Sequence, residues 1–270
     1  MKHLITIALL SITYLTKAQD STGKPPTSDA AALAKKLANP ISSLISLPIQ
    51  NNLDVGIGNL KGYKNTTNIQ PVIPLGLNPK WNLIARVILP VVIQQNIFND
   101  SGTIQTGLSD AVVSGFFSPA EAKNGMVWGL GPVFLVPTAT DELLGTGKFG
   151  VGPTAVILKQ ANGWTYGALV NQIWSVAGNA DRSDVDQMYV QPFLAYNWKS
   201  GAGVGLTNET TFNWEASTTT SFLIPNVSGI TKLGKQIIQL QIGPRIQIAA
   251  PNGSKANFGF RGTLAFVFPK

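Results

Sequence analysis

The sequence has no cysteine and a single histidine, His3. The lack of cysteine excludes disulfides, thiol chemistry and a lipid anchor on an N-terminal cysteine. With its one histidine next to the N-terminus, the rest of the chain cannot build a Ser-His triad, a Cys-His pair or the usual zinc sites. No two carboxylates are well placed for acid–base work. We therefore expect no enzyme, with no catalytic residue, metal or cofactor.

Charge and long apolar runs are scarce as well. Only 12% of the residues are charged although 44% are hydrophobic, and this charged share is about half the usual one for soluble globular proteins. No uncharged apolar run reaches the roughly 18 residues that a membrane-spanning helix needs. A closed β-barrel is the remaining way to satisfy backbone polar groups in lipid.

The first nineteen residues have the pattern of a secretory signal peptide, with Lys2 and His3 before the apolar run from Leu4 to Leu15. Loss of Lys2 and Lys17 with this segment would lower the formal charge of +7 by two. No basic run remains that would indicate a nucleic-acid partner. We therefore expect a signal peptide over 1–19, a periplasmic linker and short helix over 20–39, and an outer-membrane β-barrel over 40–270.

The linker region contains AAALAKKLA after Ser28 and Asp29, which could cap a short helix. Leu33 and Leu37 stand four residues apart on one face of that helix. Such a helix could rest on the inner rim of the barrel or enter its mouth. A frayed tail is the alternative, since isolated helices of this length are marginal.

Twelve segments after Pro40 have the character of strands, and several show the period-2 alternation of a wall with one apolar and one polar face. In 236–250, for example, isoleucine and leucine alternate with glutamine. The fold class is therefore all-β, an up-and-down antiparallel transmembrane barrel of about 12 strands with a short N-terminal helix. The predicted strands are 43–58, 66–77, 81–95, 107–118, 126–138, 149–160, 164–176, 185–198, 201–214, 218–231, 236–250 and 257–268.

The connections fall into two sets. One set is mostly short, such as LNPK, QANG and TKLGKQ, and is assigned to the periplasm together with both chain ends. The other set is mostly longer, more acidic and richer in Gly, Asn and Asp, such as NIFNDSGTIQTG and AGNADRSDVDQ. This asymmetry is typical of bacterial outer-membrane barrels.

Aromatic residues provide a geometric test of the barrel. Trp164 and Trp174 share one strand face ten residues apart, which is about 34 Å along the strand and about 26 Å vertically after a tilt near 40°. This height matches the apolar band of an outer-membrane barrel, and Trp198 and Trp214 also fall near predicted strand ends. A water-soluble β protein with these aromatics in its core is the alternative.

Proline occurs inside several predicted strands, where its missing N–H breaks a ladder hydrogen bond. Since every strand of a closed barrel has two neighbours, these prolines should mark bulges or bends. The prolines concerned are Pro71, Pro90, Pro132, Pro153, Pro192 and Pro244.

The inward positions of the alternation are rich in glutamine and carry three arginines and three acids. These charges could form a transverse field that orients a solute, or they could pair with one another as structural filler, which we favour because charges in a narrow lumen are usually compensated. The predicted pore-lining residues are Gln50, Asp54, Gln70, Arg86, Asp110, Gln191, Glu209, Gln239, Gln241, Arg245, Gln247 and Arg261, with Asn52, Asn68, Thr207 and Thr211 on the same faces.

Two loop patterns suggest ligands only weakly. The run PTATDELLGTGK, 137–148, ends like a phosphate loop but lacks its spacing and precedes a strand-like segment. We expect Asp141, Glu142 and Lys148 on an outer loop, or folded inward where they would narrow the pore. Asp181, Asp184 and Asp186 could offer oxygens to calcium, although no EF-hand pattern is present.

A family resemblance covers nearly the whole mature chain and is specific through its central half. It is carried by LANPISSLISLPIQ, IQPVIPLGL, WNLIARVILP, VWGLGPVFLVPTATDELLG, GKFGVGPTAVILKQ, WTYGALVNQIWSVAG and VQPFLAY. The chain resembles bacterial outer-membrane proteins of the phenol meta-degradation pathway family. The resemblance implies a barrel in the outer membrane, with lipid around it, that takes up small aromatic or apolar solutes. A structural or partner-binding barrel without flux is the alternative, and an outer-membrane hydrolase is a third that the lack of histidine disfavours.

Overall fold

Backbone hydrogen bonds join the strands of the chain into one sheet that closes on itself. The computed structural model describes residues 27–98 and 102–268, so the expected signal peptide lies outside the described residues. The elements are α1 (Thr27–Leu37), β1 (Ile45–Ile57), β2 (Gly62–Ile69), β3 (Val72–Asn78), β4 (Trp81–Gln95), β5 (Ile104–Leu108), β6 (Ala111–Pro119), β7 (Met126–Val136), β8 (Lys148–Ala161), β9 (Trp164–Gly178), β10 (Asp186–Asn197), β11 (Gly203–Asn213), β12 (Thr218–Leu233), β13 (Gln236–Pro244), β14 (Ile246–Ala249) and β15 (Phe258–Phe268).

Each wall strand pairs antiparallel with its neighbours in sequence, and β1 pairs with β15 from Ile45–Phe268 to Val55–Phe258 to close the ring. Three wall strands are split, as β2 and β3, β5 and β6, and β13 and β14, so the wall is a closed barrel of 12 strands. The predicted fold class is confirmed. The predicted first residues of two strands were wrong by a few positions. Strand pairing begins at Gly62 rather than at residue 66, and at Ile104 rather than at residue 107.

The prolines interrupt the sheet in two ways. Pro71 lies in the gap between β2 and β3, and Pro244 ends β13 beside the gap before β14. At Pro90, Ile88 pairs with Val112 but Val91 pairs with Leu108, so two residues of β4 face three of the neighbouring chain, which is a bulge. The predicted irregularities are confirmed at these three positions.

The remaining predicted prolines do not shift the register. The ladder to one neighbour is interrupted beside each of them and then resumes unchanged, as between the β10–β11 pairs Val190–Thr210 and Phe193–Thr207. A proline without an N–H can lose a hydrogen bond on one side while the other ladder holds the strand in place. The expected bulges are therefore absent at Pro132, Pro153 and Pro192.

The two ends of the barrel differ as predicted. Tight turns at 79–80, 162–163 and 234–235 lie at the end that carries α1, whereas the connections 96–103, 137–147, 179–185 and 250–257 lie at the other end. Long loops on one side only are typical of the outer face of these barrels. We therefore call the end with α1 the periplasmic end and the opposite end the outer end.

Large apolar side chains cover the outside of the wall. Leu240, Ile242, Ile246 and Ile248 all point outward and are about half exposed. In a water-soluble protein a continuous apolar surface of this kind would be unusual. Among the described residues, no helix is long and apolar enough to cross a membrane.

The tryptophans lie near strand ends, where aromatic girdles belong. At the periplasmic end, Trp81 packs edge-on against Trp128 with ring centroids 5.7 Å apart. The ring centroids of Tyr196 and Trp164 are 4.9 Å apart. Trp174 is as exposed as Trp164, with 47% and 45% of their surfaces accessible. The outward placement predicted for this pair is confirmed.

Candidate functional site in the barrel lumen

Two of the cavities inside the barrel share part of their lining. The outer cavity has a volume of about 570 Å³ and is lined by β1, β2, β10–β12, β14 and β15 on one side and by β4, β6, β7 and β9 on the other. The inner cavity, about 210 Å³, lies towards the periplasmic end and is floored by residues 36–40 and Ser42. Gln50, Gln70, Arg86 and Gln191 line both cavities. These four side chains therefore mark the junction between them.

Two ion pairs cross the outer cavity. Arg261 on β15 donates from both terminal nitrogens to the carboxylate of Glu209 on β11, with both distances 2.7 Å, and from Nε to Asn52 Oδ1 at 2.6 Å. Arg245, between β13 and β14, pairs with Asp54 on β1 and stacks over the ring of Phe222. The bidentate geometry and low exposure make the Arg261–Glu209 contact a strong one. These four charges are paired with one another, which is the arrangement that the sequence analysis favoured.

The second pair is not fully satisfied. Asp54 Oδ1 and Arg245 Nε are buried and have no hydrogen-bond partner among the described residues. Buried polar atoms of this kind are usually completed by ordered water. The pair therefore has the donor and acceptor capacity to hold water or a polar solute.

Two lumenal cations have no carboxylate within 4.0 Å among the described residues. Arg86 on β4 donates from Nη2 to the neutral Gln70 Oε1 at 2.9 Å. Lys64 on β2 stands opposite Asp54 in the ladder, but the carboxylate of Asp54 is engaged by Arg245. Four cationic side chains thus share this lining with two carboxylates. The lumen carries a positive surplus.

Eleven of the twelve residues predicted to line the pore are in the linings of the two cavities. Gln239 and Gln241 lie in the inner cavity, and Gln247 lies in the outer one, where its Oε1 accepts from the backbone N–H of Ala256 at 2.6 Å. Gln191 donates to Glu209 at 3.4 Å. Asn52, Asn68 and Thr211 also line the outer cavity, and Thr207 the inner one.

Asp110 is the exception, because it lines neither of these two cavities but a separate hollow between the outer loops. It stands in the gap between β5 and β6, next to the bulge opposite Pro90. Its carboxylate accepts from Thr146 through the backbone N–H at 2.6 Å and through Oγ1 at 2.7 Å. Asp110 therefore anchors the loop 137–147 rather than lining either cavity.

The loop 137–147 is also hydrogen-bonded to the next outer loop, 179–185. Arg182 donates to the backbone oxygens of Glu142 and Gly145 at 2.8 and 2.6 Å, and Lys148 pairs with Asp184 at 2.9 Å. The hydrogen bond from Lys148, followed by that from Ser175, lowers the pKa of Asp184 below its ordinary value. The two loops thus form one hydrogen-bonded outer rim.

The aspartates considered for calcium are not gathered into a site. Asp184 is engaged by Lys148, and Asp186 accepts from Gln172 at 2.7 Å. The part of the chain that the structure describes holds no group of three or more His, Cys, Asp or Glu side chains that could bind a metal ion. The run 137–148 leads into the strand β8 rather than a helix.

Sequence reasoning missed one wall of the lumen. Ile88, Val112, Leu135 and Ile173 face the polar residues across the outer cavity, and Tyr189 lies beside them. Towards the periplasmic end, this wall thickens into a core of buried side chains: Ile41, Val72, Ile84, Phe116, Val156, Leu158 and Leu169. The strands β4 and β6–β9 are apolar on both faces, so alternation of polarity does not reveal which face points inward.

The segment before β1 closes much of the periplasmic mouth. Ile41 is 3% exposed and belongs to the core inside the barrel. Ile41 packs closely on β7, since a Cβ at Gly129 would lie 3.0 Å from Ile41 Cδ1, tighter than an ordinary van der Waals contact. Helix α1 turns Ala30 and Ala34 fully inward, whereas Leu33 and Leu37 are only partly buried. The described helix is therefore docked on the rim and not a frayed tail.

The sequence matches no protein-family model and no curated protein. The structure is similar to the COG4313 outer membrane channel from Pseudomonas putida F1, with a TM-score of 0.68, 14% identity, and coverage of 86% of this chain and 98% of that one. It is less similar to outer membrane phospholipase A from Escherichia coli, with a TM-score of 0.47, 13% identity, and coverage of 90% and 98%. The chain thus has the fold of a bacterial outer-membrane β-barrel.

Proposed function

We propose that this protein is an outer-membrane channel that admits small molecules passively. The observation that carries the proposal is a closed wall with an apolar outside and a lumen of two cavities that meet at Gln50, Gln70, Arg86 and Gln191. A barrel that served only as an anchor could fill its interior with packed side chains, as small barrels do. Here the polar half of the lumen is open enough to hold water and solute.

The family resemblance and the shared fold support the same function. The Pseudomonas putida F1 protein is described as an outer membrane channel, and the phenol meta-degradation pathway family implies uptake of small aromatic or apolar molecules. The lumen agrees with this class of solute, since an aliphatic wall faces the charged one. We propose that the eleven lumenal residues predicted from sequence act as the filter.

We further propose that the protein is not an enzyme. Neither histidine nor cysteine occurs among the described residues, and the lumenal carboxylates Asp54 and Glu209 are both engaged by arginines. A carboxylate held in this way is a poor general base. Purified protein should show no lipase or esterase activity, and activity lost on mutation of a single serine would refute this proposal.

The covered periplasmic mouth favours a second candidate, a structural or partner-binding barrel without flux. Residues 36–42 floor the inner cavity, and Ile41 is inserted into the barrel. If this segment never leaves and seals the mouth, the barrel would serve through its surface alone. Whether the plug moves is therefore the property that separates the two functions.

Planar-bilayer conductance separates the candidates. The full chain and a variant lacking residues 20–39 should be reconstituted side by side, with protein-free bilayers as the control. A channel should give small unitary currents in the full chain and larger currents after the deletion, because α1 and part of the floor are gone. Folded protein that passes no ions in either form would refute the channel and leave the structural barrel.

A further inference from the structure

The outer cavity has two chemically different walls. On one side, Ile88, Val112, Leu135 and Ile173 present a continuous aliphatic surface. On the other side stand the ion pairs Arg245–Asp54 and Arg261–Glu209. A solute that satisfies both walls must have an apolar body and a polar end.

The charge expected at that polar end follows from the positive net charge of the residues that line the lumen. Both carboxylates of the outer cavity are already bound by arginines, while Arg86 and Lys64 have no carboxylate partner among the described residues. Arg86 is half-buried, so its guanidinium reaches the lumen while water around it is reduced. A partly desolvated cation without a counter-charge attracts anions, and low-dielectric walls concentrate this field.

Arg86 is also placed where it can select. It lies at the junction of the two cavities, so a solute that moves from one to the other passes its side chain. Gln70 Oε1 accepts a hydrogen bond from one terminal nitrogen of Arg86, Nη2. Among the described residues, Arg86 makes no other side-chain hydrogen bond. The other guanidinium N–H groups remain for a ligand, and their planar fork matches a carboxylate.

We propose that the outer cavity is a binding site for a small organic anion, with a carboxylate at Arg86 and an aliphatic or aryl body against the Ile88 wall. The proposal rests on the proposed function in that it names the solute class of the same lumen. A neutral apolar solute would leave Arg86 desolvated without compensation. A small inorganic anion would meet Arg86 but would gain nothing from the aliphatic wall.

Three probes separate these contributions: hexanoate, acetate, which lacks the body, and 1-hexanol, which lacks the charge. Binding to the full, folded chain in an uncharged detergent can be measured by calorimetry, without any need for flux. Hexanoate should bind at least about tenfold more tightly than acetate, since several more methylene groups are buried. It should also bind more tightly than hexanol, which has no charge to offer Arg86.

Variants assign the site. Arg86→Gln should weaken hexanoate binding by about tenfold or more, because a charge-assisted bidentate contact is lost. Arg86→Lys should retain part of the affinity as a point charge without the fork. Lys235→Gln, in the exposed periplasmic turn 234–235, removes the same charge far from the cavity and should bind as the original chain does. Heat-modifiable electrophoretic migration shows that each variant is folded.

Equal binding of hexanoate and hexanol, equal binding of hexanoate and acetate, or unchanged binding after Arg86→Gln would overturn the proposal. The outcomes also separate it from the channel itself. A protein that conducts ions but binds no hexanoate keeps its proposed function and loses this site. A protein that binds hexanoate through Arg86 but passes no current keeps the site and loses the channel.

Discussion

The Arg261–Glu209 pair offers a sharp test of the lumen's electrostatics. Glu209→Gln keeps the size of the side chain but removes the charge that two guanidinium N–H groups contact at 2.7 Å. The Arg261 side chain is 7% exposed and the Glu209 side chain 14% exposed, so water cannot readily replace the carboxylate. Removing one partner of a buried pair typically costs about 3–5 kcal/mol of the free energy of unfolding.

The double variant Glu209→Gln with Arg261→Gln tests the origin of this cost. If the loss comes from an uncompensated guanidinium, removing both charges should restore most of the stability, since a buried pair replaced as a unit is often nearly neutral. Glu215→Gln, in the exposed outer turn 214–217, is the matched control and should leave the free energy of unfolding unchanged within error.

Denaturant unfolding in lipid vesicles, followed by tryptophan fluorescence, measures these differences. All six tryptophans are on the outside of the barrel with more than a third of their surface accessible, so they report the transfer from lipid to water and not local changes in the lumen. A loss below about 1 kcal/mol for Glu209→Gln, the range of a solvent-exposed pair, would refute the reasoning. A double variant as unstable as the single one would do the same.

Three further outcomes follow from the same structure. Arg86→Glu should replace the positive surplus at the cavity junction with negative charge and shift the reversal potential in a salt gradient towards cation preference; an unchanged potential would place Arg86 outside the conduction path. Ile41→Asp should expel the plugging segment, because an unpaired carboxylate cannot remain in an apolar core, and should raise conductance while the barrel stays folded. The lowered pKa of Asp184 means that the ionised carboxylate contributes to the outer rim at and above its ordinary pKa, and that this contribution is lost as the pH falls through the lowered value. Hydrogen exchange of the loop 179–185 should therefore accelerate only in acid, and Asp184→Asn should remove that pH dependence.

The wall of the barrel could be predicted from the sequence because its signal is local. Period-2 alternation, turn residues and loop asymmetry lie within a few residues of one another, and they predicted most strands to within a few positions. Contacts made by the loops are not contained in this local pattern. Asp110 has the same parity along its strand as the lumen-lining Val112, but alternation alone could not anticipate that its carboxylate would bind the loop 137–147.

The pairing of the lumenal charges could not be predicted in detail for a different reason. Arg261 and Glu209 are 52 positions apart, and Arg245 and Asp54 are 191 apart, so their contacts depend on how the ring closes and on the relative heights of its strands. The sequence predicted that three arginines and three acids face the same side of the wall. It did not reveal that Asp110 would lie outside the lining of the two cavities, that Lys64 would be part of that lining, or that the net charge of the lining would be positive.

The asymmetry of the lumen gives the narrowness of the pore a physical cause. A barrel of this size has more interior volume than a single ring of small side chains can fill. Towards the periplasmic end, Phe116, Leu158 and Leu169 pack from one side of the wall and Ile41 is inserted among them, so that part of the interior is filled with hydrocarbon. The remaining space lies between this side and the strands that carry glutamine and carboxylate, and Arg86 and Gln191 line both of its cavities. In the proposed channel, a solute in the outer cavity would contact the charged wall and the aliphatic wall at once, a condition that neither wall would impose alone.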